Sequence, residues 1–328
     1  MTRREIVLTG GTGFIGSRVA RILLSRGDDV IAIVRDPETS AAQALRGHGA
    51  RLVRGSLGTE APIREVATGT DGVIHLAGSY RVGIPAADRP AMYEANVTAT
   101  QRVLDAAIAA GVRRIVHVST VNVFGDTHGR ILDETYRRDP ADGFISYYDE
   151  TKYLAHLAAE ARAEAGAPIV IVQPGTVYGA HDHSAIGSQL KAAYDGTAGF
   201  IAFASTGISP THVEDIASGI VAALDRGRLG EAYILTATNI RLGAAMRIAA
   251  RVAGRRPPRI TIPNLVLRLG SRLAPNSGAL MGVSPDLREI VSASDGVTYW
   301  GSNAKAVAEL GFAPRTLEVG LRDAFGPG

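Results

Sequence analysis

The 328-residue chain contains no cysteine. This excludes disulfides and thiolate chemistry, and leaves the compartment to be read from other signals. No uncharged apolar run reaches the roughly eighteen residues of a membrane span. Residues 1–5 lead directly into an apolar strand without the hydrophobic stretch of a signal peptide, so a soluble, cytoplasmic protein is expected. Internal repeats and low-complexity segments are also lacking. The net charge is only +3 despite a pI near 9.2, and the arginines are scattered without interleaved aromatics, which argues against a nucleic-acid partner. Lysine is scarce: of 35 basic residues, only Lys152, Lys191 and Lys305 are lysines. What is abundant is apolar side chain, at 46% with mean hydropathy +0.09. A chain of this length can bury a full core as one large or two intimate domains.

The segment Ile6-Val7-Leu8-Thr9-Gly10-Gly11-Thr12-Gly13-Phe14-Ile15-Gly16 sets three glycines between an apolar strand and an amphipathic helix that Gly27 closes. Gly10 permits the tight turn, Gly13 the approach of a pyrophosphate, and Gly16 close helix–strand packing. The helix start, with Thr12, Phe14 and Ile15, offers free N–H groups and a dipole to phosphate. A dinucleotide-binding turn is the reading.

Strand and helix patterns then alternate, with strands expected at 6–9, 30–34, 51–54, 72–76, 114–119 and 169–173. Helices are expected near 14–26, 41–46, 63–67, 90–110 and 148–165. This order predicts an α/β fold, a Rossmann doubly wound parallel sheet. Beyond Pro174 the pattern loosens, notably around 255–273 and 284–297. Residues 1–175 are therefore assigned to the dinucleotide-binding domain, rejoined by 211–226, and residues 176–210 and 227–328 to a smaller substrate-binding α/β domain.

The second strand ends in Arg35, whose guanidinium suits the 2′-phosphate of NADP(H) where an acidic residue would suit a ribose hydroxyl. NADP(H) is favoured. Asp36 follows directly and keeps NAD(H) compatible with the sequence.

Tyr148 and Lys152 stand four residues apart on one face of a helix. A cation beside a phenol favours phenolate and tunes it for proton exchange with an alcohol or carbonyl oxygen. Lys152 is the only lysine with a tyrosine four positions before it. Ser119 and Thr120 end the fifth strand at the carboxyl edge of the sheet, where ligands of such folds bind.

Together these motifs resemble the extended short-chain dehydrogenase/reductases over nearly the whole chain. The matching segments include His75-Leu76-Ala77, Asn96-Val97, Val118-Ser119-Thr120 with Val123-Phe124-Gly125, Tyr148 with Lys152, Pro174 with Val177-Tyr178-Gly179, and His212-Val213-Glu214-Asp215. Val34-Arg35-Asp36-Pro37 and residues 227–233 are most similar to the dihydroflavonol-reductase-like branch. The resemblance implies Tyr148 as the proton-transfer residue, with Lys152 lowering its pKa and holding the nicotinamide ribose. It implies Thr120 as the catalytic hydroxyl, Ser119 in support, and cofactor contacts at Leu76, Ala77, Gly78, Pro174, Gly175 and Val177. The family's Gly-Asp-Leu after the third strand is Gly55-Ser56-Leu57 here, so Ser56 and Leu57 leave a weaker contact to adenine. The Arg that commonly precedes its Pro is Gln173.

The expected activity is hydride transfer between nicotinamide and a secondary alcohol or ketone carbon of a small organic substrate. The alternative is a nucleotide-sugar epimerase or dehydratase with retained NAD. Substrate contacts are expected from Ser79, Tyr80, Arg81, Asn122, Val123, Thr176 and Tyr178 at the carboxyl edge. His181 and His183 alone do not complete a ligand set, and no metal is assigned. Small apolar residues in excess on helices 90–110 and 148–165 point to a homodimer seam.

Overall fold

The computed structural model describes residues 3–273 and 287–326. Residues 274–286 and 327–328 of the expected substrate domain lie outside them. Seven parallel strands form the central sheet in the order β3 (Arg51–Arg54), β2 (Asp29–Val34), β1 (Glu5–Thr9), β4 (Gly72–His75), β5 (Ile115–Val118), β6 (Ile169–Pro174) and β11 (Ala232–Leu235). Val7 pairs with Ile31 on one side and Val73 on the other. The chain winds outward from β1 to β3, then restarts at β4 and winds the other way, which opens a crevice beyond the carboxyl ends of β1 and β4. Near-continuous Val/Ile/Leu runs suit these strands because helices cover both faces.

One face is covered by α1 (Phe14–Ser25), α2 (Ser40–Gly47) and α8 (Val213–Arg226), through Val19, Leu23, Leu45, Ile216 and Ile220. The other is covered by α3 (Ala61–Ala67), α5 (Ala99–Ala109) and α6 (Tyr147–Glu164), through Ile63, Val103, Leu104 and Ala159. The helix expected near 90–110 is continuous but not uniform. Helix α4 (Arg89–Tyr93) passes through a π turn at Glu94–Thr98 into α5, and the Thr100 hydroxyl caps the Asn96 carbonyl at 2.7 Å.

Two structural details bear on the expected domain outline and helix seam. The segment after residue 226 does not all leave the main body: β11 pairs with β6, Tyr233 opposite Val172, and completes the sheet. Its run Tyr233-Ile234-Leu235 is fully buried, as a parallel edge strand covered on both faces requires. The surplus of small residues on α5 is also used within one protomer, since Ala106 and Ala107 are wholly buried against the sheet side.

The remaining elements build the smaller lobe. Strand β7 (Thr176–Tyr178) pairs with β10 (Pro210–His212), β8 (Phe200–Ile201) with β13 (Ile260–Thr261), and β9 (Gly207–Ile208) with β12 (Ile240–Arg241). Helices α7 (Ala185–Asp195), α9 (Leu242–Val252) and α12 (Leu317–Phe325) share a core around Leu190, Met246 and Leu321. Helices α10 (Asn264–Leu273) and α11 (Leu287–Ser294) flank it. No helix among the described residues is long and apolar enough to cross a membrane.

His75 and His117 face each other in register on β4 and β5, with ring centroids 5.7 Å apart. His75 is held by Thr9 at 2.7 Å and Thr100 at 3.0 Å, whereas neither ring nitrogen of His117 has a partner among the described residues. Burial, aided by Lys152, lowers His75 to about 3 and holds His117 well below the ordinary value of 6.5. A cation disfavoured only in the folded state makes stability fall as pH drops below the unfolded pKa, by about 1.4 kcal/mol per unit per group. Replacing His117→Leu should therefore flatten the loss between about pH 6.5 and pH 5 and recover about 2 kcal/mol at the acid end. Urea denaturation at both pH values measures this, and an unchanged slope would show that His117 titrates normally.

Candidate active site

The glycine turn is built for contact without side chains. Gly10 takes φ +72°, and a Cβ there would lie 2.7 Å from the Ala77 nitrogen at the end of β4. A Cβ on Gly16 would lie 2.1 Å from the Gly10 carbonyl oxygen. Gly13 caps α1 with no side-chain bond to the first turn, and no acidic residue stands there. Thr12 and Gly13 are exposed, while Phe14 and Ile15 are half-buried. Uncapped N–H groups, a bare backbone and the positive end of a twelve-residue helix fit a diphosphate. At the β2 end Arg35 is exposed and makes no ion pair or hydrogen bond among the described residues. The Asp36 carboxylate instead accepts the Glu38 N–H at 3.0 Å. Ser56 accepts the Gly58 N–H at 3.2 Å, and Leu57 packs on the α3–α5 face.

Helix α6 presents the chemistry. Ser146 caps it by accepting the Asp149 N–H at 3.1 Å, which sets Tyr148 in the first turn, buried and facing the sheet edge. Thr120, just beyond β5, is near enough to the phenol to act on its proton affinity, while its hydroxyl donates to Asn122 Oδ1 at 3.1 Å. One turn along α6, Lys152 donates to the Val118 carbonyl at 3.2 Å. Tyr148, Lys152 and Thr120 thus converge. Ser119 does not join them, because its hydroxyl is bonded to His156 Nδ1 at 3.1 Å.

The electrostatics differ from the expected lysine-assisted phenol. Burial pushes Tyr148 well above its ordinary value, the Tyr80 and Asp149 charges add to this, and Thr120 acts against it. Desolvation lowers Lys152 to about 8, and its ammonium donates one of its three N–H bonds to the Val118 carbonyl.

Residues 6–236 match the NAD dependent epimerase/dehydratase family. The chain belongs to that family. It is thus a nicotinamide-dependent enzyme of the extended short-chain dehydrogenase/reductase type. A Synechocystis protein named as a dihydroflavonol 4-reductase is 31% identical over 97% of this chain and 92% of its own. A 2-alkyl-3-oxoalkanoate reductase of Stenotrophomonas maltophilia is 26% identical over 97% of both chains, and a dTDP-glucose 4,6-dehydratase of Streptomyces griseus 32% identical over 70% and 72%. Among solved structures, gox2253 superposes with a TM-score of 0.82 at 31% identity, covering 98% of this chain and 97% of that one.

Within this family frame the other expected contacts divide. Ala77 donates its N–H to Thr9 at 3.3 Å, and a Cβ on Gly78 would meet Asn96 Oδ1 at 3.1 Å, so Leu76, Ala77 and Gly78 line the crevice wall. Beyond β6, Gly175 donates to the Leu235 carbonyl and Thr176 to that of Ser209, both at 3.0 Å. Pro174 is buried at the β6 end, and Val177 packs on the core. Tyr80 is 60% exposed and stands edge-on to Tyr148 at 4.8 Å, placing it at the mouth beside Ser79. Arg81 points outward near Asp88 at 3.8 Å. Two of the expected substrate contacts have side chains buried in cores. Val123 is buried among Phe124, Leu132 and Tyr153, and Tyr178 is buried in the smaller lobe, where its hydroxyl donates to the Leu317 carbonyl at 3.5 Å.

One motif residue gains a role that the sequence did not assign, and two further residues escape motif reading. Asn96, on the π turn, accepts the Ser79 N–H at 2.6 Å and donates to the Ser79 carbonyl and Thr151 Oγ1, each at 3.0 Å. It clamps the loop after β4 to α6, and its placement depends on a widened turn that periodicity does not reveal. His156 holds Ser119, and Asp149 lies against Asn122; neither has a spacing signal. Gly16→Ala should displace the turn, destabilise the fold by about 1–3 kcal/mol and weaken dinucleotide binding at least tenfold. Thermal unfolding and cofactor titration check this, and wild-type affinity would detach Gly16 from the phosphate site.

Proposed function

We propose that this family member moves hydride between NADP(H) and a secondary alcohol or ketone carbon of a small organic substrate. The observation that carries the reading is the convergence of Tyr148, Thr120 and Lys152 at the crevice whose far end carries the unengaged Arg35. The dinucleotide, when bound, supplies the hydride donor or acceptor. Tyr148 exchanges a proton with the substrate oxygen, Thr120 would hydrogen bond at the same place, and Lys152, held by the Val118 carbonyl, would hold the nicotinamide ribose. The raised phenol keeps its proton at neutral pH, which suits donation to a carbonyl. Two relatives that span nearly the whole chain are named reductases. Arg35 favours NADP(H), since Asp36, its rival for a ribose hydroxyl, already accepts a backbone N–H.

Tyr148→Phe should retain cofactor binding and lose turnover of a ketone panel by about 100-fold or more. Full activity would remove Tyr148 from the mechanism. Arg35→Ala should weaken NADPH binding about tenfold while sparing NADH, because only NADPH carries the extra phosphate. Equal losses would make Arg35 structural. Tightly co-purified NAD with no net consumption of NADPH would favour the epimerase or dehydratase reading instead.

The same reading includes a homodimer built from helices 90–110 and 148–165, on the second of which Leu157 is 37% exposed and Leu154 and Ala158 are half-buried. Light scattering should report about twice the 34.3 kDa chain mass. Leu157→Glu should return it to one chain mass, and a dimer that persists would place the seam elsewhere.

A further inference from the structure

Arginine is spread along the whole chain, but acid is not. Residues 232–285 contain eight arginines, no lysine and neither aspartate nor glutamate, so this stretch carries +8 and the rest of the chain −5, against a total of +3. Residues 240–269 of it build one flank of the smaller lobe. Arg247 and Arg251 stand four residues apart on α9, which places them on one face, and Arg255, Arg256 and Arg259 follow on the loop that leads to β13. All five are exposed, and none of their side chains makes an ion pair or hydrogen bond among the described residues. Three acids on adjoining elements are already engaged. Asp195 at the end of α7 binds Lys191, Asp323 on α12 binds Arg315, and Asp295 after α11 holds Arg268 and Asn264.

Apolar side chains stand on the same flank. Phe200 on β8 and Ile260 on β13 are register partners, and α10, which begins directly after this strand pair, carries Leu265, Val266 and Leu269. All five are between 47% and 65% exposed. Leu265 and Leu269 lie one turn apart, with Val266 beside them. Single exposed aliphatic residues are ordinary on a protein surface. Here, however, five of the twelve large apolar residues exposed among the described residues fall on two short strands and one helix, next to arginines that have no acidic partner.

We propose that this flank docks reversibly on a bilayer that carries anionic lipid. The guanidinium groups of the loop bind headgroup phosphates, which match their planar donors, while Phe200, Ile260 and the exposed face of α10 enter the boundary between headgroups and acyl chains. Charge and apolar area together select this partner. A nucleic acid would satisfy the arginines but leave Leu265, Val266 and Leu269 against sugar and phosphate. A second copy related by a two-fold axis would cover the apolar residues but set the arginines of both chains against each other. An anionic bilayer satisfies both, and its surface potential strengthens binding about fivefold for each arginine brought near it. The docking does not depend on the reaction in the crevice, so the reductase reading can fail while this one stands.

The test sediments the full chain with vesicles of phosphatidylcholine alone and with vesicles containing about one third phosphatidylserine, at about 0.1 M salt. The unaltered chain should bind the anionic vesicles at least about tenfold more tightly than the neutral ones. Replacing Arg255→Glu, Arg256→Glu and Arg259→Glu together should lower that affinity about 100-fold. The same change at Arg46, Arg64 and Arg113, exposed on the main body, alters net charge equally and should lower it by less than about fivefold. Leu265→Ser with Leu269→Ser leaves charge unchanged and should cost about tenfold. No vesicle binding, equal losses from the two arginine sets, or indifference to the leucine pair would overturn the proposal. So would binding to duplex DNA as tight as to anionic vesicles, or a dimer that the leucine pair dissolves, which would give the face to a second copy. Thermal unfolding checks each variant. If the arginine triple does not fold, Arg256→Glu alone takes its place, with about a fivefold loss expected.

Discussion

Gly10 lies so near the end of β4 that a single added carbon would collide with the Ala77 backbone nitrogen. That close approach is where the two halves of the sheet meet. β1 and β4 are neighbours although the chain visits β2 and β3 between them, and the reversal opens the crevice at their carboxyl ends. The start of α1, the loop after β4 and the hydroxyls after β5 all face this opening because the parallel strands end there. A side chain at Gly10 or Gly16 would wedge the turn away from β4 and separate the phosphate-binding N–H groups from the proton-transfer residues.

The crevice is held from its other side by polar contacts that strand pairing does not provide. Asn96 joins the Ser79 backbone to Thr151 on α6, and Ser146 fixes the first turn of α6. Lys152 ties that helix to the end of β5. These bonds place Tyr148 by three independent routes, and each is worth little alone compared with the desolvation suffered if one buried partner is lost. Precision at the phenol therefore depends on a small set of satisfied donors and acceptors, while the apolar layers on the two sheet faces supply the bulk of the stability.

Much of this was legible in order and spacing. The strands from β1 to β6 appear as apolar runs because both faces are covered, and the glycine turn and the Tyr148–Lys152 pair follow from steric need and helical geometry. β11 was less visible, since a short buried strand after a Gly-rich loop carries no period of its own. The burial of Val123 and Tyr178 in cores was hidden for a related reason: position after a strand says which edge a residue occupies, but not whether its side chain turns into the crevice or into a neighbouring core. Ser119 illustrates the same limit, as only the fold brings His156 within 3.1 Å of it.

The electrostatic character of the site was the least legible, because it is set by burial. From sequence, a lysine one turn from a tyrosine argues for an acidified phenol. In the fold, desolvation raises the Tyr148 phenol, and the lysine ammonium, itself desolvated, is bonded to the Val118 carbonyl. The two groups are thus both driven towards neutrality by the same exclusion of water. A phenol that holds its proton beside a cation near its own titration range is arranged to release that proton only when negative charge develops on an oxygen within reach. The site therefore responds to the reacting oxygen more strongly than to bulk pH, which is the behaviour that differential stabilisation of a transition state requires.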